Sequence, residues 1–312
     1  MKYRKMGRTG LKVSAVSLGG WLTFGGSVED DTAHQIMREA IEHGINFLDV
    51  ADIYAKGGAE TVLGEVIKDY KRSDLVISSK VYWPMSDNVN DRGLSRKHIF
   101  ESVHKSLKRL GTDYLDIYFC HRYDAETPME ETVRAMDDLV SQGKVLYWGT
   151  SVWSGDQMRA ACELADRRGF YQPFVEQPMY HLLDRSIEQD VMPAAEELGM
   201  GLVVWSPLAG GLLTGKYNDG VPQGSRAANT RWLQGALTPQ NIEKVRQLTA
   251  IAQGIGCTTA QLALAWLLTR PQITSVITGA TTLDHIRSNL KAAQLELDQD
   301  VVDKVDALFT TS

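Results

Sequence analysis

"LGGWLTFGG", residues 18–26, follows a short apolar run and holds four glycines, yet it does not spell a phosphate-binding turn. A doubly wound nucleotide-binding sheet is expected to place GxGxxG between its first strand and first helix. The absence of that fingerprint decides how the rest of the chain is read. Outward from it, short β-branched or apolar runs recur at 13–18, 46–50, 75–80, 114–121, 145–151, 174–177, 201–206 and 275–279, with helical patterns between them. Alternating strand and helix requires parallel pairing through crossovers. Eight such units predict an α/β fold closed as a (β/α)8 TIM barrel, with an open doubly wound sheet as the other option.

The helical patterns carry their own punctuation. "DDTAHQIMREAIEHG" puts Ile36, Met37, Ala40 and Ile41 on one face and stops at Gly44. Ser95 is the expected N-cap of the helix that ends at Gly111. Thr127, Pro128 and Glu130 read as cap, first helical residue and capping-box partner of the next. The N-terminal "KYRKMGRTGLKV" predicts a β-hairpin turning at Gly7 to Gly10, ahead of the first barrel strand. Residues 208–238 form the one long stretch without a clear element, and long loops of that kind are often functional.

The chain has 312 residues and a formal net charge of −6. That length suits one barrel domain over 1–312, and no linker or low-complexity tract divides it. The acidic balance argues against nucleic acid or an anionic membrane as partner. Three cysteines without CxxC spacing suggest neither a disulfide frame nor zinc, so a reducing cytoplasm is expected. No apolar run reaches membrane-spanning length, and the N-terminus does not read as a secretory signal. The histidines other than His121 lack metal-ligand spacing and mostly fall in helical patterns, so no metal site is expected.

In a parallel barrel, chemistry gathers at the carboxyl ends of the strands. Those ends carry, in order, Gly20 and Trp21, Asp49 with Tyr54 just beyond, Lys80, His121, Ser151, Gln177, Trp205 with Ser206, and Gly279 with Thr281. Asp49 and Lys80 would pair, since a charge buried alone is costly. The ammonium would lower the Tyr54 pKa, making the phenol a general acid, and His121 would donate to a carbonyl oxygen. Singly, each has an ordinary structural explanation; four on one face are unlikely to be idle. "GGLLTGKY", residues 210–217, resembles a P-loop but has Tyr217 in place of the magnesium-binding hydroxyl and a turn-rich sequel. Its glycines, with Lys216 and Arg226, still suit a phosphate. "VITGATTLDHIRSNL" offers a second phosphate site at a helix start, with Thr281 or Thr282 as N-cap.

Over essentially its whole length the chain resembles the aldo-keto reductases, most of all the branch of potassium-channel β-subunits and their bacterial relatives. The carriers are "GRTGLKVSAVSLGGWLTFGG", "NFLDVADIYAKGGAETVLGE", "VISSKV", "LGTDYLDIYFCHR", "TPMEETVRAMDDLVSQGKVLYWGTSVW", "EQPMYH", "WSPLAGGLLTGKY" and "VITGATT". The resemblance implies NADPH as cofactor and a small-molecule carbonyl as substrate, with Asp49, Tyr54, Lys80 and His121 as the catalytic tetrad. It implies nicotinamide contacts at Ser151 and Gln177, flanked by Tyr180 or Trp205, and pyrophosphate contacts at Ser206, Pro207, Leu208, Ala209 and Gly210. It places the 2′-phosphate and cofactor cover at Lys216, Tyr217, Ser225 and Arg226, and further contacts at Gly20, Trp21, Asp49, Gly279, Thr281, His285 and Asn289. Gly20 stands where threonine is frequent, and His285 and Ser288 where glutamine and glutamate often hold adenosine. The branch often has asparagine at the histidine position, so His121 favours a working reductase over a redox-sensing subunit. Relatives range from monomers to tetramers or larger, which leaves a homo-oligomer open. The aromatic residues Trp21, Tyr82, Trp83 and Trp153, with Arg122, are candidates for the substrate pocket.

Overall fold

A two-stranded antiparallel hairpin, β1 (Tyr3–Lys5) and β2 (Lys12–Ser14), precedes eight parallel strands in the computed structural model, which describes residues 1–21 and 23–310. These are β3 (Val16–Gly19), β4 (Phe47–Asp49), β5 (Val76–Val81), β6 (Leu115–Cys120), β7 (Val145–Thr150), β8 (Val175–Glu176), β9 (Gly201–Val204) and β10 (Ile273–Thr278). Each pairs with its sequence neighbours and β10 pairs with β3, so the sheet closes on itself. The expected (β/α)8 barrel is therefore the fold.

Six helices fill the first crossovers: α1 (Asp30–Glu42), α2 (Gly58–Ile67), α3 (Arg96–Leu110), α4 (Met129–Ser141), α5 (Gly155–Arg168) and α6 (Val191–Leu198). Between β9 and β10 run α7 (Arg226–Asn229), α8 (Arg231–Ala236), α9 (Pro239–Gly254) and α10 (Thr259–Thr269); α11 (Leu283–Ala292) and α12 (Gln299–Phe309) follow β10. The caps explain several boundaries. Ser95 accepts from the His98 N–H, as expected, and Gly111 ends α3 in the left-handed region. Among the described residues no single helix is long and apolar enough to cross a membrane.

Side chains alternate sides along a strand. Phe47, Val76, Ile117, Phe119, Val175, Val203 and Ile277 form the small cluster that fills the barrel, and Met6 and Val13 of the hairpin join it, closing the N-terminal end. The intervening strand residues, such as Leu48, Ile77, Tyr118 and Val204, pack outward against the helices. Counting two residues on from the interior cluster gives Asp49, Ser78 and Lys80, His121, Gln177 and Trp205. The polar groups at the mouth are thus the uppermost layer of the barrel interior.

Three expectations are corrected. The first strand, read as 13–18, divides at Ala15: its N–H bonds to Lys2 in the hairpin layer while its carbonyl accepts from Val276 in the barrel. Thr127 does not cap α4. Pro128 holds the cap position without a side-chain bond, and the Thr127 hydroxyl donates to Asp124 at 2.7 Å. The stretch 208–238 is not featureless, since a 3₁₀ turn (Ala209–Thr214), α7 and α8 lie within it. Each piece is too short to give a readable period.

Candidate active site

Lys80 is fully buried inside the barrel mouth, and its ammonium has three acceptors. It donates to Asp49 Oδ2 at 2.7 Å, to the Val50 carbonyl at 2.8 Å and to the Tyr54 hydroxyl at 3.2 Å. All three N–H directions are therefore used, which is what makes a buried charge tolerable. The other oxygen of Asp49 accepts from Ser78 Oγ at 2.6 Å and from the Gln177 amide at 3.0 Å. Gln177 is itself fixed by Ser151, whose hydroxyl donates to its carbonyl at 2.9 Å.

Tyr54 reaches this layer from a sharp turn. Ala55 and Lys56 both have φ near +49°, and Gly57 has +91°. Two non-glycine residues in the left-handed region cost roughly 1–2 kcal/mol each, and such strain concentrates at functional sites. The third position needs glycine for space as well, because a Cβ there would lie 2.7 Å from Arg109. The Tyr54 ring sits 4.7 Å from the Lys80 ammonium and packs edge-on to His121 at 5.9 Å between centroids.

The protonation states follow from this enclosure. Burial raises the Tyr54 pKa, and the pull of Lys80 in the opposite direction does not overcome it. The sequence expectation of a lowered phenol pKa is corrected: desolvation wins, because the ring is enclosed and Asp49 partly cancels the ammonium. Tyr54 thus carries its proton at neutral pH. Burial works against the charge on Lys80, but Asp49 and the Tyr54 hydroxyl hold its pKa above the ordinary value. For His121, burial and then the nearby Lys80 and Arg122 push the pKa far down, so the imidazole is neutral. Its Nδ1 is buried without a hydrogen-bond partner among the described residues. Ser78 was missed by the sequence reading, although its position two residues before Lys80 signals the same face.

Beside this constellation lies a cavity of about 400 Å³, bounded by Trp21, Trp205, Ser206, Ala209, Leu212 and Trp232 among others. Trp21 and Trp205 meet edge-on at 6.4 Å. Of the two rings expected to flank a cofactor, Tyr180 is instead in the core, packed on Trp266 at 5.6 Å and donating to Glu188. Along one side of the cavity the backbone is contorted: Ser206, Ala209, Gly210 and Gly211 all have positive φ. A Cβ on Gly210 would lie 2.7 Å from Trp232. At Gly20, where threonine was noted as frequent, a Cβ would lie 2.6 Å from Phe24, so glycine and Phe24 fit each other.

The remaining candidates cluster at the far end. Lys216 is exposed, with its ammonium 5.1 Å from the Tyr217 ring, and Tyr217 is buried with its hydroxyl accepting from the Ala227 N–H. Ser225 Oγ is buried without a partner among the described residues, beside Arg226. Gly215 is left-handed and no long helix follows it, so the P-loop reading fails on geometry. Thr282 caps α11 through the His285 N–H, while Thr281 bonds to His285 Nδ1 at 3.1 Å. Asn289 donates to the Gly279 carbonyl at 3.4 Å. His98 is buried in α3 near Asp91.

The sequence model described as the aldo/keto reductase family matches residues 15–309. This chain belongs to the aldo/keto reductase family. Among its relatives are proteins named probable voltage-gated potassium channel subunit beta from Arabidopsis thaliana (45% identical, over 99% of this chain and 97% of the relative) and Oryza sativa subsp. japonica (44%, over 99% and 96%). A putative voltage-gated potassium channel subunit beta from Schizosaccharomyces pombe is 44% identical over 98% of this chain and 93% of the relative. The expected family and branch are both upheld. Asp49, Tyr54, Lys80 and His121 stand together at the carboxyl end of the strands of this barrel, a protonated phenol beside an ammonium and a neutral imidazole.

Proposed function

We propose that this aldo/keto reductase reduces aldehydes or ketones to alcohols with NADPH. The observation that carries the proposal is the chain Asp49–Lys80–Tyr54, with the neutral His121 packed on the same ring. NADPH, when bound, supplies the hydride to the carbonyl carbon. Tyr54 gives its proton to the carbonyl oxygen, and the Lys80 ammonium 3.2 Å away stabilises the phenolate left behind. Asp49 keeps Lys80 charged and in place. His121, a neutral donor, holds the carbonyl oxygen against Tyr54.

The residues present fit a dinucleotide. The cavity beside Trp205 and the left-handed backbone at Ser206 and Ala209 to Gly211 suit the close approach of such a group, and the Ser225 hydroxyl, without a partner among the described residues, would take a phosphate together with Lys216 and Arg226. We assign the nicotinamide to Ser151, Gln177 and Trp205, near Gly20, Trp21 and Asp49. The pyrophosphate falls to Ser206, Pro207, Leu208, Ala209 and Gly210. The 2′-phosphate falls to Lys216, Tyr217, Ser225 and Arg226, and the adenosine side to Gly279, Thr281, His285 and Asn289. Two cations with a hydroxyl at that end favour NADPH over NADH.

The test is NADPH oxidation against a panel of aldehydes, with NADH as comparator and Tyr54→Phe as the variant. Turnover falls by about 10²-fold or more in the variant while NADPH binding survives. Unchanged turnover rejects Tyr54 as the acid. The names of the relatives support a second reading, a cofactor-sensing subunit of a channel; NADPH binding with negligible turnover on every carbonyl would favour it.

A further inference from the structure

Among the described residues, Arg122 shares only with Arg226, assigned above to the 2′-phosphate, the position of a partly buried arginine held by neither a carboxylate nor a pair of main-chain carbonyls. Arg72 binds Asp116, Arg109 binds Glu60, and Arg185 and Arg270 both bind Asp306. Arg4 is held by two main-chain carbonyls. Arg122 has no carboxylate within ion-pair distance among the described residues, and the one hydrogen bond it makes there is from Nη1 to the carbonyl of His121. Its guanidinium lies 5.5 Å from the Trp83 ring centroid, and that ring stands edge-on to His121 at 6.3 Å. The unmatched cation is therefore beside the reacting layer. Burial lowers its pKa, and the groups that oppose this are Tyr54, Glu176 and Tyr82. Glu176 acts on it only from beyond ion-pair distance, its carboxyl group being engaged by the Thr150 hydroxyl and the Trp153 N–H.

A half-buried guanidinium with free donors is costly unless something negative meets it. Its planar fork suits a carboxylate. The surroundings are aromatic: Tyr82 meets Trp83 edge-on at 5.2 Å, and Tyr123 meets Trp153 at 5.1 Å. We propose that Arg122 is the specificity residue of this site and selects carbonyl substrates that carry a carboxylate, in particular on a flat ring that the aromatic walls can hold. The inference rests on the carbonyl-reductase reading. The bland account, a rim arginine stacked on Trp83, would contribute about 0.5–1 kcal/mol and no charge selectivity.

The test compares 4-carboxybenzaldehyde with its methyl ester, in the full chain with NADPH at constant ionic strength. In Arg122→Met the ratio of kcat/KM for acid over ester falls about tenfold or more, mainly through KM, and Arg122→Lys recovers part of it. Acid and ester falling together, or an unchanged ratio, overturns the proposal. Tryptophan fluorescence titration with benzoate and methyl benzoate gives a readout without turnover, and the urea midpoint checks that both variants fold. Benzoate binding lost in Arg122→Met, with no carbonyl reduced by the wild type, keeps the anion site and rejects the reductase. Carbonyl turnover with no preference for acid over ester does the reverse.

Discussion

At the scale of single residues, the site turns on how Lys80 is enclosed. Its three acceptors leave no N–H direction unused. Lys80→Met keeps the volume but strands Asp49, a buried carboxylate with only Ser78 and Gln177 as donors. The expected loss is about 3–5 kcal/mol, read as a lower urea midpoint. Adding Asp49→Asn to that variant recovers part of the loss, because the stranded charge is gone; no recovery would mean that packing, not charge, sets the cost. Asp49 and Gln177 were legible in the sequence as strand-end residues and Tyr54 as lying just beyond one, whereas Ser78 was not. The protonation state of Tyr54 was not, since a neighbouring cation and burial oppose each other and only the enclosure decides between them.

At the scale of elements, the period of two along the strands carries Asp49, Lys80 and His121 to one side, while close helix contacts hold the turn that bears Tyr54. Gly64 in α2 is one such contact. A Cβ there would lie 2.6 Å from the Arg109 carbonyl in α3, and backbone cannot step aside as a side chain can. Gly64→Ala is expected to cost about 1–3 kcal/mol and to lower kcat more than it changes NADPH affinity, since the turn before α2 positions Tyr54. Urea unfolding and NADPH titration together check this. The apolar face of α1, the Ser95 cap and the Gly111 stop could be read ahead of the structure, whereas the caps at Ser154, Thr238 and Thr258 were not. The Thr127 error arose because a neighbouring carboxylate, Asp124, competed for the hydroxyl.

At the scale of the molecule, closing the barrel buries carboxyls that sequence alone would leave charged. Asp52 accepts from Ser102 in α3, and Glu176 from Thr150; burial pushes both pKa values up to about 7. Each binds its proton more tightly in the folded chain than in the unfolded one. The contribution of these two carboxyls therefore falls as pH rises from the ordinary carboxyl range toward 7 and levels off above it, while the buried His121 and His181, whose pKa values burial lowers, contribute in the opposite sense as pH rises through the ordinary histidine range. Between pH 5 and pH 8 the urea midpoint of the wild type should fall more, or rise less, than that of Asp52→Asn with Glu176→Gln, which lacks the two titrating carboxyls. An equal slope in the double variant would place the titration elsewhere.

The order of apolar runs, their spacing and the residue types at their ends determined an alternating α/β fold with a parallel sheet and an N-terminal hairpin, and pointed to barrel closure and to the Asp49, Tyr54, Lys80 and His121 set, because side-chain alternation and strand–helix connectivity are local rules written residue by residue. Tertiary structure alone decided that Tyr180 faces the core, that Ser78 supports Asp49, and that Arg122 has no carboxylate within ion-pair distance among the described residues. Those facts depend on which side chains meet across elements far apart in the chain, and on how much water the closed barrel excludes from each of them.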